Sequence, residues 1–316
     1  MNQEKIRLGV SSCLLGNPVR FDGGHKHQPF ITRTLADFFD LVPVCPEMAI
    51  GLGAPRQSLR LVGRTERPRV IGNKDPSLDV TAALQDYGRA MAGALGDISG
   101  YIVKKDSPSC GMLRVRVYED NGMPRREGVG AYTRALMAAK PWLPVEEEGR
   151  LQDPVLRENF FERVYVCYRW QQLVQQGLTP ARLVKFHTAH KYLLMSRSQD
   201  DYRELGRMVA RAGGAGFDAL AQRYFLDLMT ALKRPASRKR HANVLYHLMG
   251  YFKRRLPSGD RRELVDLIEA YRRGLVPLVV PLTLLKHHLA RQGDAYLQGQ
   301  YYFDPYPGGL SLRNAI

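Results

Sequence analysis

Cys13, Cys45 and Cys110 each follow a short apolar run of strand character: Ile6-Arg-Leu-Gly-Val, Leu41-Val-Pro-Val and Tyr101-Ile-Val. In an open α/β sheet, ligands bind in the crevice at the carboxyl ends of the strands. Residues far apart in sequence meet there, so these three thiols are expected to converge on a metal or iron–sulfur site with one position left open. The spacings contain no C-x-x-C pair, which disfavours a zinc ribbon. Soft thiolates select iron–sulfur clusters, zinc or copper(I), and three thiolates on a [4Fe–4S] cluster leave one iron without a protein ligand.

The neighbours of the cysteines suit a reaction centre. Glu47 stands two residues after Cys45, and Ser107 and Ser109 precede Cys110 in Asp106-Ser-Pro-Ser-Cys-Gly. A carboxylate there can activate water, and a hydroxyl can orient substrate or pass a proton. The alternative is a solvated loop charge and two turn-forming serines. Arg20, Asp22, His25, Lys26, Arg56, Arg60 and Lys105 fall in loops at the same predicted edge. They are candidates for binding substrate or a nucleotide phosphate, or for holding the loops through ion pairs.

Positioning these residues requires α/β order in the first half. Short strand-like runs alternate with Gly/Pro-rich loops and helical patterns, giving an α/β, Rossmann-like domain over residues 1–150. Helices are expected over Pro29–Phe39, over Thr81–Leu95 behind an Asp79 cap, and from Gly128 to about Ala139. The acidic run Glu146-Glu-Glu-Gly, between Pro144 and Pro154, reads as the domain junction. Residues 151–316 are helical nearly throughout, with helices expected at 156–175, 180–196, 201–212, 217–232, 238–255, 263–273 and 281–292. Short connections between them predict an all-α helical bundle, with Tyr301–Leu310 as an extended arm. Cys167, in an apolar helix, is expected in the core.

The 316 residues carry a net charge of +16, unevenly spread. Residues 151–316 hold 26 Lys and Arg against 14 Asp and Glu, residues 1–150 hold 21 against 17. The excess of +12 in the second half favours a polyanion, nucleic acid above all, as its partner. Lys233, Arg234, Arg238, Lys239 and Arg240 form the densest run of donors and are the leading candidates for RNA phosphates, with Lys191, beside His187 and His190, as a further one. Lys253-Arg-Arg255 and Arg272-Arg273 have weaker claims. No stretch approaches the roughly 20 apolar residues of a membrane span, and the first residues lack the apolar segment of a secretory signal. A cytoplasmic protein with no membrane partner is expected.

Four blocks occur in order: Ser11-Ser-Cys13-Leu-Leu-Gly, Arg20-Phe-Asp-Gly, Cys45-Pro-Glu-Met-Ala-Ile-Gly-Leu-Gly-Ala-Pro-Arg56 and Lys105-Asp-Ser-Pro-Ser-Cys110-Gly. Over about residues 5–145 they resemble the thiouracil desulfidase family. The resemblance implies a [4Fe–4S] cluster held by three cysteines, Cys13, Cys45 and Cys110, and replacement of a thiocarbonyl sulfur by oxygen without net electron transfer. It places the catalytic glutamate at Glu47 and the serine on the pair Ser107/Ser109, with Ser107 favoured. Residues 151–316 resemble a second, helical family through Leu183-Val-Lys-Phe-His-Thr-Ala-His-Lys-Tyr192, His241-Ala-Asn-Val-Leu-Tyr-His247 and Tyr301-Tyr-Phe-Asp-Pro-Tyr-Pro307. The fusion is similar to desulfidases of 4-thiouridine in transfer RNA. It implies thiolated tRNA as partner, with free thiouracil as the alternative substrate. A non-catalytic iron–sulfur RNA-binding protein and a zinc-stabilised scaffold are the readings from other classes.

Overall fold

The computed structural model describes residues 5–119, 123–252 and 255–316. It divides into two compact units, Met1–Gln152 and Asp153–Ile316.

The first unit is built on two four-stranded sheets. In the larger one, β1 (Ile6–Ser11), β2 (Phe39–Val44), β5 (Gly100–Val103) and β8 (Val145–Glu147) are ordered β2-β1-β5-β8. All three pairings are parallel. Buried on both faces, such strands need continuous apolar runs: Leu8 and Val10 of β1 and Tyr101, Ile102 and Val103 of β5 are wholly inaccessible. Gly9 pairs with Tyr101 across the sheet, and a Cβ at Gly9 would sit 2.3 Å from the Tyr101 ring. Glycine there admits the ring. From β1 the chain pairs first to one side with β2 and later to the other with β5. The carboxyl ends of β1 and its two neighbours therefore flank a topological switch point, where open sheets bind ligands. Helices α2 (Thr81–Ala94) and α3 (Ala131–Ala139) pack on each other beside this sheet.

The second sheet has no counterpart in the sequence-based expectation. Strands β3 (Leu59–Val62), β4 (Arg69–Gly72), β6 (Val115–Tyr118) and β7 (Pro124–Gly128) are ordered β4-β3-β6-β7. Leu61, Val70 and Val117 face inward and are fully buried, while arginines occupy alternate positions.

Three local expectations need correction. The helix expected over Pro29–Phe39 is a π-turn at Phe30–Thr34 followed by a 3-10 turn at Leu35–Asp37. Ile31, Thr32 and Thr34 are β-branched and resist regular α geometry, and Phe39 already begins β2. Asp79 does not cap α2; Val80 holds that position, and the Asp79 carboxylate accepts hydrogen bonds from the Thr81 amide at 3.0 Å and its hydroxyl at 2.6 Å. The acidic run at 146–148 is no linker. Glu146 and Glu147 lie in β8, and all three carboxylates are buried in the first unit.

The second unit is helical: α4 (Pro154–Gln175), α5 (Pro180–Arg197), α6 (Gln199–Ala210), α7 (Phe217–Leu232), α8 (Arg238–Phe252), α9 (Ser258–Arg273), α10 (Val279–Gln292) and the single turn α11 (Ala295–Gln298). Side-chain caps fix several starts, Asp153 for α4, Thr179 for α5 and Ser198 for α6. Residues after Gln300 are turns rather than an extended arm, because Tyr302, Phe303, Tyr306, Leu310 and Leu312 bury their side chains. Cys167 is buried in α4. Among the described residues no helix is long and apolar enough to cross a membrane.

The core of this unit contains charge. Glu158 and Glu162 of α4 meet Arg197 of α5 and Arg313 near the end of the chain, all four almost completely buried. Glu162 accepts from Arg197 at 2.7 Å, and Glu158 from Arg313 at 3.2 Å. His187, His190 and His241 are packed nearby as neutral rings: His187 contacts the Tyr224 hydroxyl at 3.0 Å, His190 donates to the Phe186 carbonyl at 2.7 Å, and His241 contacts the Tyr302 hydroxyl at 2.8 Å. Burial lowers His187 to about 4, His190 to about 3, and His241 well below the ordinary histidine value of 6.5. Unfolded, each ring binds a proton below 6.5; folded, it does not. Stability present above pH 6.5 is therefore lost as pH falls, by about 2 kcal/mol for each of His187 and His190 at pH 5, with His241 acting in the same direction. Glu162, raised by burial, opposes this with one group against three. Denaturant titrations of the helical signal at pH 8 and pH 5 should show the loss.

Candidate functional site

The loops after β1, β2 and β5 carry the three cysteines to one cavity. Cys13 lies in a 3-10 turn at Ser12–Leu15 directly after β1, closed by Gly16 at φ 96°. The following loop folds back on it through Lys26 N–H to the Cys13 carbonyl and Gln28 N–H to the Leu14 carbonyl, both 2.9 Å. Cys45 is the N-cap of the short helix α1 (Pro46–Ala49), which puts Glu47 in its first turn. Cys110 closes a turn in which the Ser107 hydroxyl oxygen accepts from the amides of Ser109 at 3.3 Å and Cys110 at 3.0 Å. The start of α3 clamps that turn: Thr133 donates through its hydroxyl to the Cys110 carbonyl at 2.7 Å, and Gly130 approaches so closely that a Cβ would lie 2.5 Å from the Ser109 carbonyl.

The cavity has a volume of about 310 Å³, enough for a small ring compound. Of the residues singled out from sequence, Cys13, Arg20, Lys26, Cys45, Glu47, Arg56, Lys105, Ser107 and Cys110 line it. Asp22, His25, Arg60 and Ser109 do not. Asp22 closes its own turn by accepting from Gly24 N–H at 3.0 Å, and the His25 ring accepts from His27 N–H at 3.2 Å. Ser109 is buried behind the wall and donates to Glu47 Oε1 at 2.7 Å. The other Glu47 oxygen accepts from Arg56 Nε at 2.9 Å and from Arg56 Nη2. Arg56 is itself tied to the carbonyls of Val19, at 3.0 Å, and Gly53. The two serines thus divide their work: Ser107 shapes the turn and faces the cavity, and Ser109 orients the carboxylate.

Sequence reasoning missed Lys104 and the role of the acidic run. Lys104 lines the cavity and pairs with buried Glu148. Glu148 also accepts from Lys105 N–H at 2.8 Å, and Glu147 accepts from the amides of Met112 at 2.9 Å and Leu113 at 3.3 Å. The end of β8 therefore ties down both ends of the Cys110 loop. The only sequence signal was three adjacent acids, which reads equally well as a solvated surface.

All four cysteines are free of disulfides. Burial pushes Cys13 up to about 11, against the pull of Arg20 and Lys104. It raises Cys45, against the amides of Met48 and Glu47. It raises Cys110 well above the ordinary thiol value, with the charges of Glu47, Cys45 and Cys13 adding to it. Cys110 thus feels both other sulfurs and Cys13 feels Cys45, and a bound cation would reverse these shifts and hold thiolates. Among the described residues no group of three His, Cys, Asp or Glu closes on a point as the ligands of one ion would; the three thiols stand around a space.

In the helical unit, Lys239 and Arg240 are exposed. Arg238 lies over the Tyr271 ring at 5.8 Å, Arg234 pairs with Asp201 at 3.5 Å, and Lys233 is exposed. Lys191 sits among the rings of Tyr192, Tyr202 and Tyr296 at 5.2 to 5.9 Å. Arg272 pairs with Glu269 at 2.7 Å, and Lys253 and Arg254 lie outside the described residues.

Residues 8–148 match the model of the family described as 2-thiouracil desulfurase, and residues 191–307 match that described as protein of unknown function (DUF1722). The uncharacterized protein YbgA of Escherichia coli (strain K12) is 36% identical over 154 residues, 48% of this chain and 91% of that protein. Among solved structures, the [4Fe-4S]-dependent thiouracil desulfidase TudS is 31% identical, covering 47% of this chain and 94% of its own, with a TM-score of 0.38. The chain belongs to the 2-thiouracil desulfurase family through its first unit, with a DUF1722 domain in its second.

Proposed function

We propose that this protein is a [4Fe–4S]-dependent desulfidase that converts 4-thiouridine in transfer RNA to uridine with release of hydrosulfide. The observation that carries the reading is that Cys13, Cys45, Cys110 and Glu47 wall one cavity at the carboxyl ends of three adjacent strands. The donor set fits the group: three soft thiols around a space, with room beside them for a substrate. Held by Cys13, Cys45 and Cys110, the cluster supplies a Lewis-acidic iron with affinity for sulfur.

The chain's own residues account for the rest. Glu47 takes a proton from the attacking water, and Ser109 and Arg56 hold its two oxygens so that the carboxylate does not turn away. Ser107 accepts two amide hydrogen bonds, so its hydroxyl proton points away from them and is free to donate to the substrate. Lys26 and Lys105 give the cavity a cationic rim suited to a nucleotide phosphate and to the departing hydrosulfide, while Arg20 and Lys104 line it already paired with Asp22 and Glu148. Water oxygen replaces sulfur on carbon, the water protons leave with sulfur and solvent, and no electron changes hands. A neutral free base needs no large cationic platform, so the +12 of residues 151–316 supports RNA as substrate.

The test is anaerobically reconstituted protein incubated with 4-thiouridine-containing tRNA, alongside free 2-thiouracil, following loss of the thiocarbonyl absorbance and release of sulfide. Loss from the tRNA, abolished together with iron binding in Cys13→Ala, Cys45→Ala and Cys110→Ala, is the expected result. Loss from the free base alone would keep the chemistry and discard the RNA. Full activity in iron-free protein would end the reading.

A further inference from the structure

Beside the catalytic cavity lies a second depression of about 320 Å³ on the outer face of the second sheet. The two share Leu59, Asp106 and Pro108 in their walls, so they lie side by side with these residues between them. Successive strand residues face opposite ways. With Leu61 and Val117 paired and buried inward, Arg60 on β3 and Arg116 and Tyr118 on β6 face outward, and Arg126 of β7 pairs with Arg116. Arg60, Arg116 and Tyr118 line the depression together with Asn73.

The chemistry of this surface is specific. Arg60 lies over the Tyr118 ring at 5.8 Å, and its Nε is buried without a hydrogen-bond partner. Arg114, Arg116 and Arg126 are exposed, and among the described residues none of them, nor Arg60, is ion-paired with a carboxylate. By contrast Arg69 is paired with Asp79, and Arg125 with Glu119. One carboxylate, Asp106, stands on the ridge between the two depressions. Unpaired guanidinium groups around an aromatic face are the equipment for a phosphate with a base stacked next to it.

We propose that this depression is a subsite for the nucleotide flanking the thiolated base. Arg60 and Arg116 take its phosphate, and Tyr118 stacks on its base. The inference rests on the desulfidase reading of the neighbouring cavity and adds to it a place, in the catalytic unit itself, where an RNA strand is told from a free base. Asp106 between the two depressions keeps the backbone phosphate on the outer side of the ridge by repulsion.

Two measurements on the full-length holoprotein test it. Fluorescence anisotropy of a short, sulfur-free, single-stranded oligonucleotide reads the subsite without any chemistry. Arg116→Ala and Tyr118→Ala should each weaken binding about tenfold, and Arg116→Ala should also flatten the salt dependence. Turnover then compares a short oligonucleotide carrying one 4-thiouridine with the 4-thiouridine nucleoside. The ratio of their kcat/KM values should fall about tenfold in both variants. Unchanged anisotropy and an unchanged ratio in folded variants would overturn the subsite. Failure of the desulfidase reading shows separately, as absence of turnover by the wild-type holoprotein, while the anisotropy still decides the subsite.

Discussion

Glu47→Gln is expected to retain its iron, its fold and its affinity for substrate while losing turnover by about 10²–10⁴-fold, the usual weight of a positioned general base. The amide keeps the shape of the carboxylate and can still accept from the Ser109 hydroxyl, but it cannot take a proton and its charge no longer balances Arg56. Glu47 is not among the three thiols, so iron content and the cluster's absorption should match those of the wild type. Single-turnover assays under saturating substrate make the comparison cleanest, because they report the step at the cavity and not product release. Turnover within a factor of about three of the wild type would remove Glu47 from the chemistry. Loss of iron together with activity would instead make it a structural support of Cys45.

Arg197→Met should destabilise the helical unit by about 3–5 kcal/mol, the cost of leaving a buried ion pair without one partner. Arg197 is 1% exposed and faces Glu162 and Glu158, and Arg313 alone cannot satisfy both carboxylates. That loss is a large part of the 5–15 kcal/mol that hold a typical domain together. Because the chain has two units, the unfolding transition must be followed by a probe confined to the second, such as Trp170 fluorescence in a Trp142→Phe background, which removes the one tryptophan of the first unit. A shift below about 1 kcal/mol would mean that the four charges are effectively solvated. Replacing Glu162 by leucine in the same background should recover part of the loss, since it removes a charge that Arg197→Met leaves uncompensated.

What could be read from the sequence follows from how local each cause is. The apolar runs of β1, β2 and β5 mark themselves, and with them the edge where Cys13, Cys45 and Cys110 gather. Most helices of the second unit were legible to within three residues from their local apolar spacing, but the one expected from 263 begins at Ser258, and the single turn Ala295–Gln298 left no signal. The second sheet was not. Its strand β7, Pro124-Arg-Arg-Glu-Gly128, has no apolar alternation, and only its pairing with β6 makes it a strand. The acids at 146–148 read as a domain junction because their partners, the amides of Lys105, Met112 and Leu113, lie 34 to 43 residues earlier and leave no mark on composition. Ser107 and Ser109 are two residues apart with the same chemistry, and only the fold turns one toward the cavity and the other toward Glu47. Charge alone marks the basic run at 233–240 in the sequence; folding spends Arg234 on Asp201 and sets Arg238 against Tyr271.

The pairing of Arg313 with Glu158 joins residues 155 positions apart. During synthesis the first unit has all its contacts once residue 152 has emerged. The helical unit does not: its two inward-facing carboxylates on α4 wait for Arg313, which leaves the ribosome 155 residues after Glu158. Domains emerging first fold first, so the cavity with its three thiols can mature on the nascent chain, while the second unit closes only after residue 313 has emerged. A ribosome stalled shortly before residue 313 would therefore display a finished first unit tethered to helices that still lack the charge needed to seal their core.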